Sequence, residues 1–257
     1  MARVFVTGSS DGLGLMAAQL LVEMGHAVVL HARSAARAED ARRRLPGCET
    51  VAIGDLASLD ETRSLAEQVN RLGRFDAVIQ NAGVGLRERL TRTAEGLPHV
   101  FAINVLAPYV LTALIERPGR LVYLSSGMHR GADHSLEDVD WTKRRWQGSA
   151  AYSESKLCDV LLAFAVARRW PSVFSNAVNP GWVATKMGGP GAPDDEDDGR
   201  RTQVWLAVSD DPEARVSGNY FHHLHPQTAD PAVHDAARQD KLVALCQRFS
   251  GIALADE

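Results

Sequence analysis

The chain has 257 residues, 45% of them hydrophobic, and a formal net charge of −4 at neutral pH. This composition suits one domain over residues 1–257, since α/β folds commonly reach this length as a single unit. The weak negative charge argues against nucleic acid as a partner. No apolar run reaches the ~18 residues of a bilayer span, so we do not expect a membrane partner either.

The cysteines indicate the compartment. Cys48, Cys158 and Cys246 are scattered without metal-binding spacing, and the N-terminus enters an apolar strand at once. An odd cysteine count without a secretion signal predicts reduced thiols and a cytoplasmic location. The three histidines at 222, 223 and 225 lack partners at metal-site spacing, so we expect no metal.

The first predicted elements are a strand and a helix joined by a glycine-rich turn. Residues 2–6 form a short run that is apolar apart from Arg3, and apolar residues at helical spacing run from 13 to 24. Gly8, Gly12 and Gly14 lie between them. In this strand–turn–helix context, such glycines are typical of a site where a dinucleotide pyrophosphate meets a helix N-terminus. The alternative interpretation is a plain turn, because loops are often rich in glycine.

Strands and helices alternate along the rest of the chain. The apolar patterns predict strands at 27–32, 50–54, 77–80, 120–124, 173–178 and 219–222, and helices at 36–44, 59–72, 96–115, 151–169 and 231–249. Pro108 is expected to bend the helix over 96–115. This alternation predicts an α/β, Rossmann-type doubly wound parallel sheet of about seven strands with helices on both faces. Ligands bind at the carboxyl ends of such strands.

Tyr152 and Lys156 lie four residues apart on the predicted helix 151–169 and therefore share a face. A tyrosine phenol ordinarily has a pKa near 10, so it can donate a proton at neutral pH. A nearby cation favours the phenolate, which is the form that accepts a proton when the transfer runs in the opposite direction. An ordinary surface pair is the usual meaning of this spacing. Catalysis is favoured here because the pair follows a serine-ended strand in a dinucleotide-binding pattern.

The motifs and their order resemble the short-chain dehydrogenase/reductase family. The resemblance covers residues 7–185 and rests on Thr7-Gly8-x-x-x-Gly12-x-Gly14, Asn81-Ala82-Gly83, Asn104, Ser125-Ser126, Tyr152-x-x-x-Lys156, and Asn179-Pro180-Gly181 before Thr185. A Ser-Ser-x-x-His sequence and Ser217-Gly218-x-Tyr220-Phe221 further resemble the branch of retinol dehydrogenases and protochlorophyllide reductases. The resemblance implies hydride exchange between a nicotinamide dinucleotide and a carbonyl or alcohol.

The resemblance also implies roles for single residues. Tyr152 would be the proton donor, Lys156 would bond the nicotinamide ribose, Ser126 would hold the carbonyl, and Asn104 would hold a water. We expect Ser125 to satisfy local backbone groups instead. The cofactor would lie against Gly8, Ser10, Asp11, Gly12, Leu13, Gly14, Arg33, Ser34, Asp55, Leu56, Asn81, Ala82, Gly83, Tyr152, Lys156, Pro180, Gly181, Val183 and Thr185.

The end of the second predicted strand indicates which dinucleotide is bound. Arg33 stands where an acidic residue would bond the ribose of NAD, and an arginine there accommodates the 2′-phosphate of NADP. Ser34 adds a hydrogen-bond donor, and Arg37 adds charge. Asp11 argues the other way, because many NADP-using relatives carry a base at its position. We expect NADP as the cofactor, with NAD as the alternative.

The substrate is predicted from two segments. Residues 127–151 form an insertion that carries Trp141 and Trp146. Together with Trp182, these side chains favour a fairly large apolar or aromatic substrate. Alternatively, Trp141 and Trp146 only fix the insertion to the body. Residues 188–199 are too rich in acid, glycine and proline to pack a core. The family resemblance implies that 186–205 form a substrate lid, and the alternative is a plain solvated loop.

The sequence therefore predicts an NADP-dependent oxidoreductase. The alternative is a non-catalytic dinucleotide sensor on the same fold, although such proteins typically lose the Tyr or the Lys. The assembly is open between a monomer and a homodimer. Helix 151–169 is apolar on several faces, which favours a twofold interface. The insertion could instead cover that surface, and we favour this interpretation.

Overall fold

Eight strands form one sheet in the computed structural model, which describes residues 1–87 and 89–257. The strands are β1 (Arg3–Val6), β2 (Ala27–Ala32), β3 (Thr50–Ile53), β4 (Ala77–Gln80), β5 (Arg120–Leu124), β6 (Phe174–Asn179), β7 (Tyr220–His222) and β8 (His225–Gln227). The helices are α1 (Gly12–Glu23), α2 (Ala35–Arg44), α3 (Leu59–Arg71), α4 (His99–Phe101), α5 (Ala107–Leu114), α6 (Gly148–Arg169), α7 (Glu196–Val208) and α8 (Ala236–Ser250).

The strand order is β3-β2-β1-β4-β5-β6-β7-β8, and β1 to β7 are all parallel. The chain runs outward from β1 to β3, then returns to start β4 on the other side of β1. This reversal of direction is the switch point at which doubly wound sheets bind ligands. The predicted fold is confirmed.

The antiparallel β8 was not predicted. It has three exposed residues, includes Pro226, and carries no apolar alternation. Its pairing with β7 depends on a tight turn in which His223 and Leu224 adopt φ values of 47° and 67°. Non-glycine residues rarely take such values, so the residue types at this turn did not predict it.

Two apolar cores lie on opposite faces of the sheet. Alternate residues of β1 divide between them: Val4 and Val6 contribute to one core, Phe5 to the other. The first core is covered by α1, α2 and α7, and the second by α3, α5, α6 and α8. Helix α6 is buried over most of its length because neighbours lie on several of its sides.

The helix predicted over 96–115 is interrupted. It begins as α4, passes through a π-helical turn at Ala102–Leu106, and continues as α5. Pro108 has no N–H to donate to the carbonyl of Asn104, four residues earlier. The bend expected at Pro108 therefore takes the form of a widened turn that contains Asn104 itself.

Part of the segment predicted as a lid, 186–205, belongs to a packed helix. Residues 196–205 lie within α7, which packs against α1, and Val204 is buried. The acidic run forms the N-cap and first turn of this helix, with Asp195 accepting from the N–H of Asp197 at 2.7 Å. Negative charge is favourable at a helix N-terminus. Only 186–195 remains outside the body of the fold.

The last predicted helix also differs. Residues 231–249 divide into a 3₁₀ turn at Pro231–His234 and α8, which begins after the N-cap Asp235. Asp235 accepts from the N–H of Ala237 at 2.9 Å, so a cap in the sequence marks the true start of α8.

Candidate active site

The glycine turn is held against the end of β4. Thr7 Oγ1 accepts from the N–H groups of Asn81 and Ala82 at 2.9 and 3.0 Å. Gly8 has φ +62°, and a Cβ there would lie 2.8 Å from Ala82 Cα. At Gly14 a Cβ would meet Asn81 Nδ2 at 2.3 Å. These contacts require glycine at both positions.

His31 supports the same turn, although no sequence motif points to it. Its Nδ1 accepts from the N–H of Gly8 at 2.9 Å, so the proton lies on Nε2, which donates to the Gly54 carbonyl at 2.8 Å. Burial lowers the pKa of His31. A neutral imidazole thus links β2 to the first glycine and to the end of β3. A histidine within an otherwise apolar strand was the available signal.

One cavity of about 520 Å³ opens along the carboxyl ends of the central strands. Most of the predicted cofactor residues line it: Gly8, Ser10, Asp11, Gly12, Leu13, Gly14, Arg33, Asp55, Leu56, Asn81, Ala82, Gly83, Tyr152, Lys156, Pro180 and Thr185. Further lining residues that were not predicted as site residues are His31, Arg37, Val84, His99, Ile103, Leu124, Ser125, Lys186 and Met187.

Five predicted residues lie outside this lining. Ser34 is the N-cap of α2 and accepts from the N–H of Arg37 at 3.4 Å. Val183 is buried, and Gly181 donates its N–H to Asn179 Oδ1 at 3.1 Å. The other two, Asn104 and Ser126, are described below.

Tyr152 and Lys156 lie at one end of the cavity, on the first turns of α6. Lys156 Nζ is 5.8 Å from the centre of the Tyr152 ring. It donates to the Leu124 carbonyl at 2.7 Å and to Asp159 Oδ2 at 2.8 Å. Burial opposes the positive charge, but Asp159 and Tyr152 outweigh it and raise the pKa of Lys156. The lysine is therefore held as a cation.

Asn104 is buried behind the cavity wall. Its Oδ1 accepts from the N–H of Val84 at 2.8 Å, and its Nδ2 donates to Ser155 Oγ at 2.9 Å. Ser155 in turn donates to the Tyr152 carbonyl at 2.7 Å. The Asn104 side chain thus ties the loop after β4 to α6 near Tyr152.

The two serines after β5 have different environments. Ser125 is buried and donates to the Lys156 carbonyl at 2.7 Å, as expected of a residue that satisfies backbone groups. Ser126 caps the 3₁₀ turn Gly127–His129, and its Oγ accepts from the N–H of Met128 at 3.2 Å. In that arrangement its hydroxyl proton can still be donated. His129 is buried and bonds the Ser126 carbonyl through Nδ1 at 2.7 Å.

Asp11 is surrounded by cations at the cavity rim. It accepts from Arg37 at 3.3 Å, from Arg44 at 3.0 Å and from Lys186. Lys186 above all, together with Arg44, holds the pKa of the Asp11 carboxyl well below its usual range. Arg33 is exposed and lines the cavity, and within residues 1–87 and 89–257 it forms no ion pair. The rim is therefore cationic despite Asp11.

The tryptophans do not lie where the sequence placed them. Within the described part of the chain, none of the three lines the cavity. Trp141 is buried under the Arg144 guanidinium, 3.8 Å away, and stacks edge-on against Trp146. Arg144 is bound by Glu154 of α6. Trp141 and Trp146 thus fix the insertion to the body, which was the alternative interpretation.

Met187, an exposed apolar side chain, lines the cavity, and further exposed apolar side chains lie on the loops after β4, β5 and β6. Exposed large hydrophobic residues follow β4, β5 and β6 in turn: Leu86, Leu90, Met128, Trp182 and Met187. A Cβ on Gly85 would lie 2.9 Å from Met187 Cγ, so the loop after β4 touches the loop after β6. Isolated exposed hydrophobics are common, and no pattern in the sequence groups these.

The described residues contain no cluster of His, Cys, Asp or Glu that could hold a metal ion. The rings of His222 and His223 stack 3.7 Å apart. All three cysteines carry free thiols. Among the helices described, none combines the length and the apolarity needed to cross a bilayer.

Comparison with known proteins adds relatives along the whole chain. The family model for short chain dehydrogenases matches residues 2–133. An uncharacterised oxidoreductase of Emericella nidulans is 43% identical, and a short-chain dehydrogenase of Penicillium rubens, chyC, is 42% identical; each match covers 99% of both chains. Retinol dehydrogenase 14 of Mus musculus is 29% identical over 97% of this chain and 86% of its own.

Solved structures show the same architecture. The crystal structure of a protein from Mycobacterium paratuberculosis matches with a TM-score of 0.85 and 27% identity, over 99% of this chain and 95% of that one. A carbonyl reductase from chicken fatty liver, solved with NADPH bound, matches with a TM-score of 0.67 and 20% identity, over 89% and 99% of the two chains.

Proposed function

The chain belongs to the short-chain dehydrogenase/reductase family, and we propose that it is an NADP(H)-dependent oxidoreductase that interconverts a carbonyl and an alcohol on a fairly large apolar small molecule. One observation carries the proposal. A single cavity runs from the glycine turn and the cationic rim to Tyr152 and the buried Lys156. A dinucleotide site and a proton donor are therefore continuous.

The cavity fits a nicotinamide dinucleotide. Its volume of about 520 Å³ lies in the range of small-molecule sites. The N-terminus of α1 faces it, where backbone N–H groups and the helix dipole favour a pyrophosphate. Gly8 and Gly14 leave no room for side chains, and this keeps the turn close to β4.

The residues at the inner end suit proton transfer. NADPH, when bound, supplies the hydride for carbonyl reduction. The Tyr152 hydroxyl gives the proton to the oxygen that develops negative charge, and the nearby Lys156 cation stabilises the phenolate left behind. The family resemblance assigns the same oxygen to Ser126, whose hydroxyl proton can still be donated, although Ser126 lies outside the cavity lining. Asn104 positions the loop after β4 against α6.

The rim supports NADP over NAD. Arg33 stands at the end of β2, where a 2′-phosphate would lie, and Arg37 adds a second guanidinium. The carboxylate of Asp11, which argued against NADP, is compensated by Arg37, Arg44 and Lys186. The NADPH bound to the carbonyl reductase of the same fold is further support.

The substrate class is supported by the loops at the mouth and by the relatives. Met128, Trp182 and Met187 expose apolar surface beside strand ends, and retinol dehydrogenase 14 is named for a large apolar alcohol. We therefore propose an apolar ketone, quinone or aldehyde. The free thiols support a cytoplasmic location.

The test is NADPH oxidation, followed spectroscopically with a panel of apolar ketones, quinones and aldehydes, and with NADH in parallel. We expect turnover with some of these carbonyl compounds and a preference for NADPH. Binding of NADPH without turnover of any compound would favour the non-catalytic sensor instead.

Tyr152→Phe provides the matched control. It removes the proton donor but keeps the ring, so NADPH affinity should stay nearly unchanged while kcat falls by about 10²- to 10⁴-fold. Fluorescence titration with NADPH and steady-state kinetics give the two values. Turnover by Tyr152→Phe near the wild-type rate would contradict the assignment.

A further inference from the structure

A buried carboxylate lies next to the proposed catalytic lysine, and neither the proposed reaction nor the motifs above assign it a role. Asp159 is three residues after Lys156 on α6. Its Oδ2 accepts from Lys156 Nζ at 2.8 Å, and the two side chains are only 4% and 6% exposed. Every other carboxylate that forms an ion pair within the described residues is more exposed than Asp159. The pair therefore differs in kind from the surface ion pairs of this chain.

Burial of both groups makes each dependent on the other. An ammonium withdrawn from water tends to lose its proton unless an opposite charge compensates it. Removing one partner of a buried pair leaves an uncompensated charge, which is far more costly than losing a surface pair. Lys156 has one carboxylate within ion-pair distance among the residues described, and that carboxylate is Asp159.

The geometry also fixes where the lysine points. One N–H of Lys156 goes to Asp159 and a second to the Leu124 carbonyl at the end of β5. The ammonium is thereby held between α6 and β5, at the end of the cavity that Tyr152 lines. A Cβ on Gly83 would lie 3.6 Å from Nζ, so the ammonium also lies next to the cofactor-binding loop after β4.

We propose that Asp159 is a positioning residue for the carbonyl–alcohol reaction, and that its carboxylate holds the Lys156 ammonium charged and in place beside Tyr152. The proposal rests on the proposed function. Asp159 itself touches neither the substrate nor the reacting atoms in this arrangement. It acts only through Lys156.

The other titratable groups around the pair are tyrosines and a thiol. Tyr152 and Cys158 are on α6, and Tyr123 is on β5. Tyr123 shares a hydrogen bond of 2.7 Å with Thr112, and burial together with Asp159 raises its pKa. Burial, with Asp159 among the lesser causes, raises the pKa of Cys158 as well. Both groups are neutral at physiological pH, so Asp159 is the counter-charge for Lys156.

The Asp159 carboxylate is expected to affect the pH dependence of the reaction. Asp159 raises the pKa of Lys156 against the effect of burial. Without the carboxylate, Tyr152 alone opposes the effect of burial, and Lys156 loses its proton at a lower pH. The upper limb of the pH profile for carbonyl reduction should then move to lower pH.

The test compares Asp159→Asn with wild type, using the best carbonyl substrate and NADPH. Asparagine keeps the size and an acceptor oxygen but removes the charge. We expect kcat/KM near neutral pH to fall by about 10-fold or more, and the upper limb to move down by about one pH unit or more. Asp159→Glu, which restores the charge, should recover part of the rate and move the limb back up.

Glu154→Gln is the control, because Glu154 is a partly buried carboxylate on the same helix, paired with Arg144 instead of Lys156. It should lower the melting temperature without moving the pH limb. If Asp159→Asn behaves like Glu154→Gln, with lower stability and an unmoved limb, the role is structural and the proposal is wrong. Wild-type turnover is measured first: an inactive wild type overturns both proposals, whereas an unmoved limb in an active enzyme overturns this one alone.

Discussion

At the scale of single residues, the charge of Arg33 is expected to determine the preference for NADPH over NADH. Arg33→Asp replaces a guanidinium with a carboxylate at the end of β2, beside the cavity. A charge-assisted hydrogen bond contributes about 1.5–3 kcal/mol. We therefore expect the ratio of kcat/KM for NADPH to that for NADH to fall by about 10- to 100-fold or more.

Arg42→Asp is the matched control for that change. Arg42 lies on α2, is exposed, and is not part of the cavity lining. Its replacement by Asp makes the same charge change as Arg33→Asp. Its cofactor ratio should stay near the wild-type value. Equal ratios for wild type, Arg33→Asp and Arg42→Asp would mean that Arg33 does not contact the 2′-phosphate.

His31 gives the protein an expected sensitivity to acid. The folded state keeps this imidazole neutral, and burial lowers its pKa below the ordinary 6.5. As the pH falls, the unfolded chain therefore binds a proton at His31 before the folded chain does. The contribution of His31 to the unfolding free energy is fully present above pH 6.5 and decreases progressively below it. Protonation also removes the lone pair that accepts from Gly8.

Urea unfolding between neutral and mildly acidic pH tests this effect. His31→Asn keeps an amide oxygen that can accept a hydrogen bond. In this variant the unfolding free energy should fall less steeply towards low pH, because unfolding takes up about one proton fewer. His225→Gln, at an exposed site on β8, should keep the wild-type slope. An identical slope in His31→Asn and wild type would show that His31 titrates normally.

At the scale of elements, the glycine turn is the part that tolerates least change. In Gly14→Ala the added methyl would collide with Asn81 Nδ2, with the Gly8 carbonyl at 2.6 Å and with Ser9 Cα at 3.0 Å. The last two atoms belong to the backbone and cannot rotate away. We expect a loss of about 1–3 kcal/mol in unfolding free energy and much weaker NADPH binding, because the turn must move away from β4.

Gly191→Ala controls for the general cost of adding a methyl group. Gly191 is exposed, and no atom lies within 4 Å of its added Cβ. Urea unfolding and NADPH titration should give values close to wild type for this variant. Similar losses in both variants would contradict the steric explanation for Gly14.

Much of the candidate site was predictable because it consists of local features such as this turn. Local geometry constrains these residues: Gly8 and Gly14 form a tight turn, and Tyr152 and Lys156 share one face of a helix. Such local features can be predicted from the spacing of residues along the sequence. His31 was missed because its role depends on β2 lying between β1 and β3. Asp159 needed the packing of α6 on β5 before its partner was visible.

Elements that depend on tertiary packing were predicted less well. Asp195 and the acids after it have the composition of a solvated loop, so the sequence does not predict the start of α7, although these acids cap a helix whose later residues are buried. Trp141 was expected near the substrate because aromatic residues are common in pockets. The stacking of Arg144 on its ring could not be read from the sequence.

At the scale of the whole molecule, the C-terminal part of the chain covers the faces of α5 and α6 that the sheet leaves open. Helix α8 packs on α6, and Phe249 meets Phe101 edge-on. The Tyr109 hydroxyl donates to the Ile252 carbonyl at 2.8 Å, and Trp170 Nε1 donates to the Ala255 carbonyl at 2.7 Å. The cover expected from the insertion alone is thus completed by the C-terminus.

This cover predicts a monomer. A twofold interface through α6 needs an open apolar face on each copy, whereas here that face is occupied by α8 and the residues after it. We expect sedimentation at micromolar concentration to give a mass near the 27.9 kDa of one chain. Asp240, which binds Arg168 and Arg169, provides the variant: Asp240→Lys sets like charges against both arginines and should loosen α8, lowering the melting temperature. A wild-type mass near twice that of the chain would mean that the molecule associates through another surface or displaces this cover.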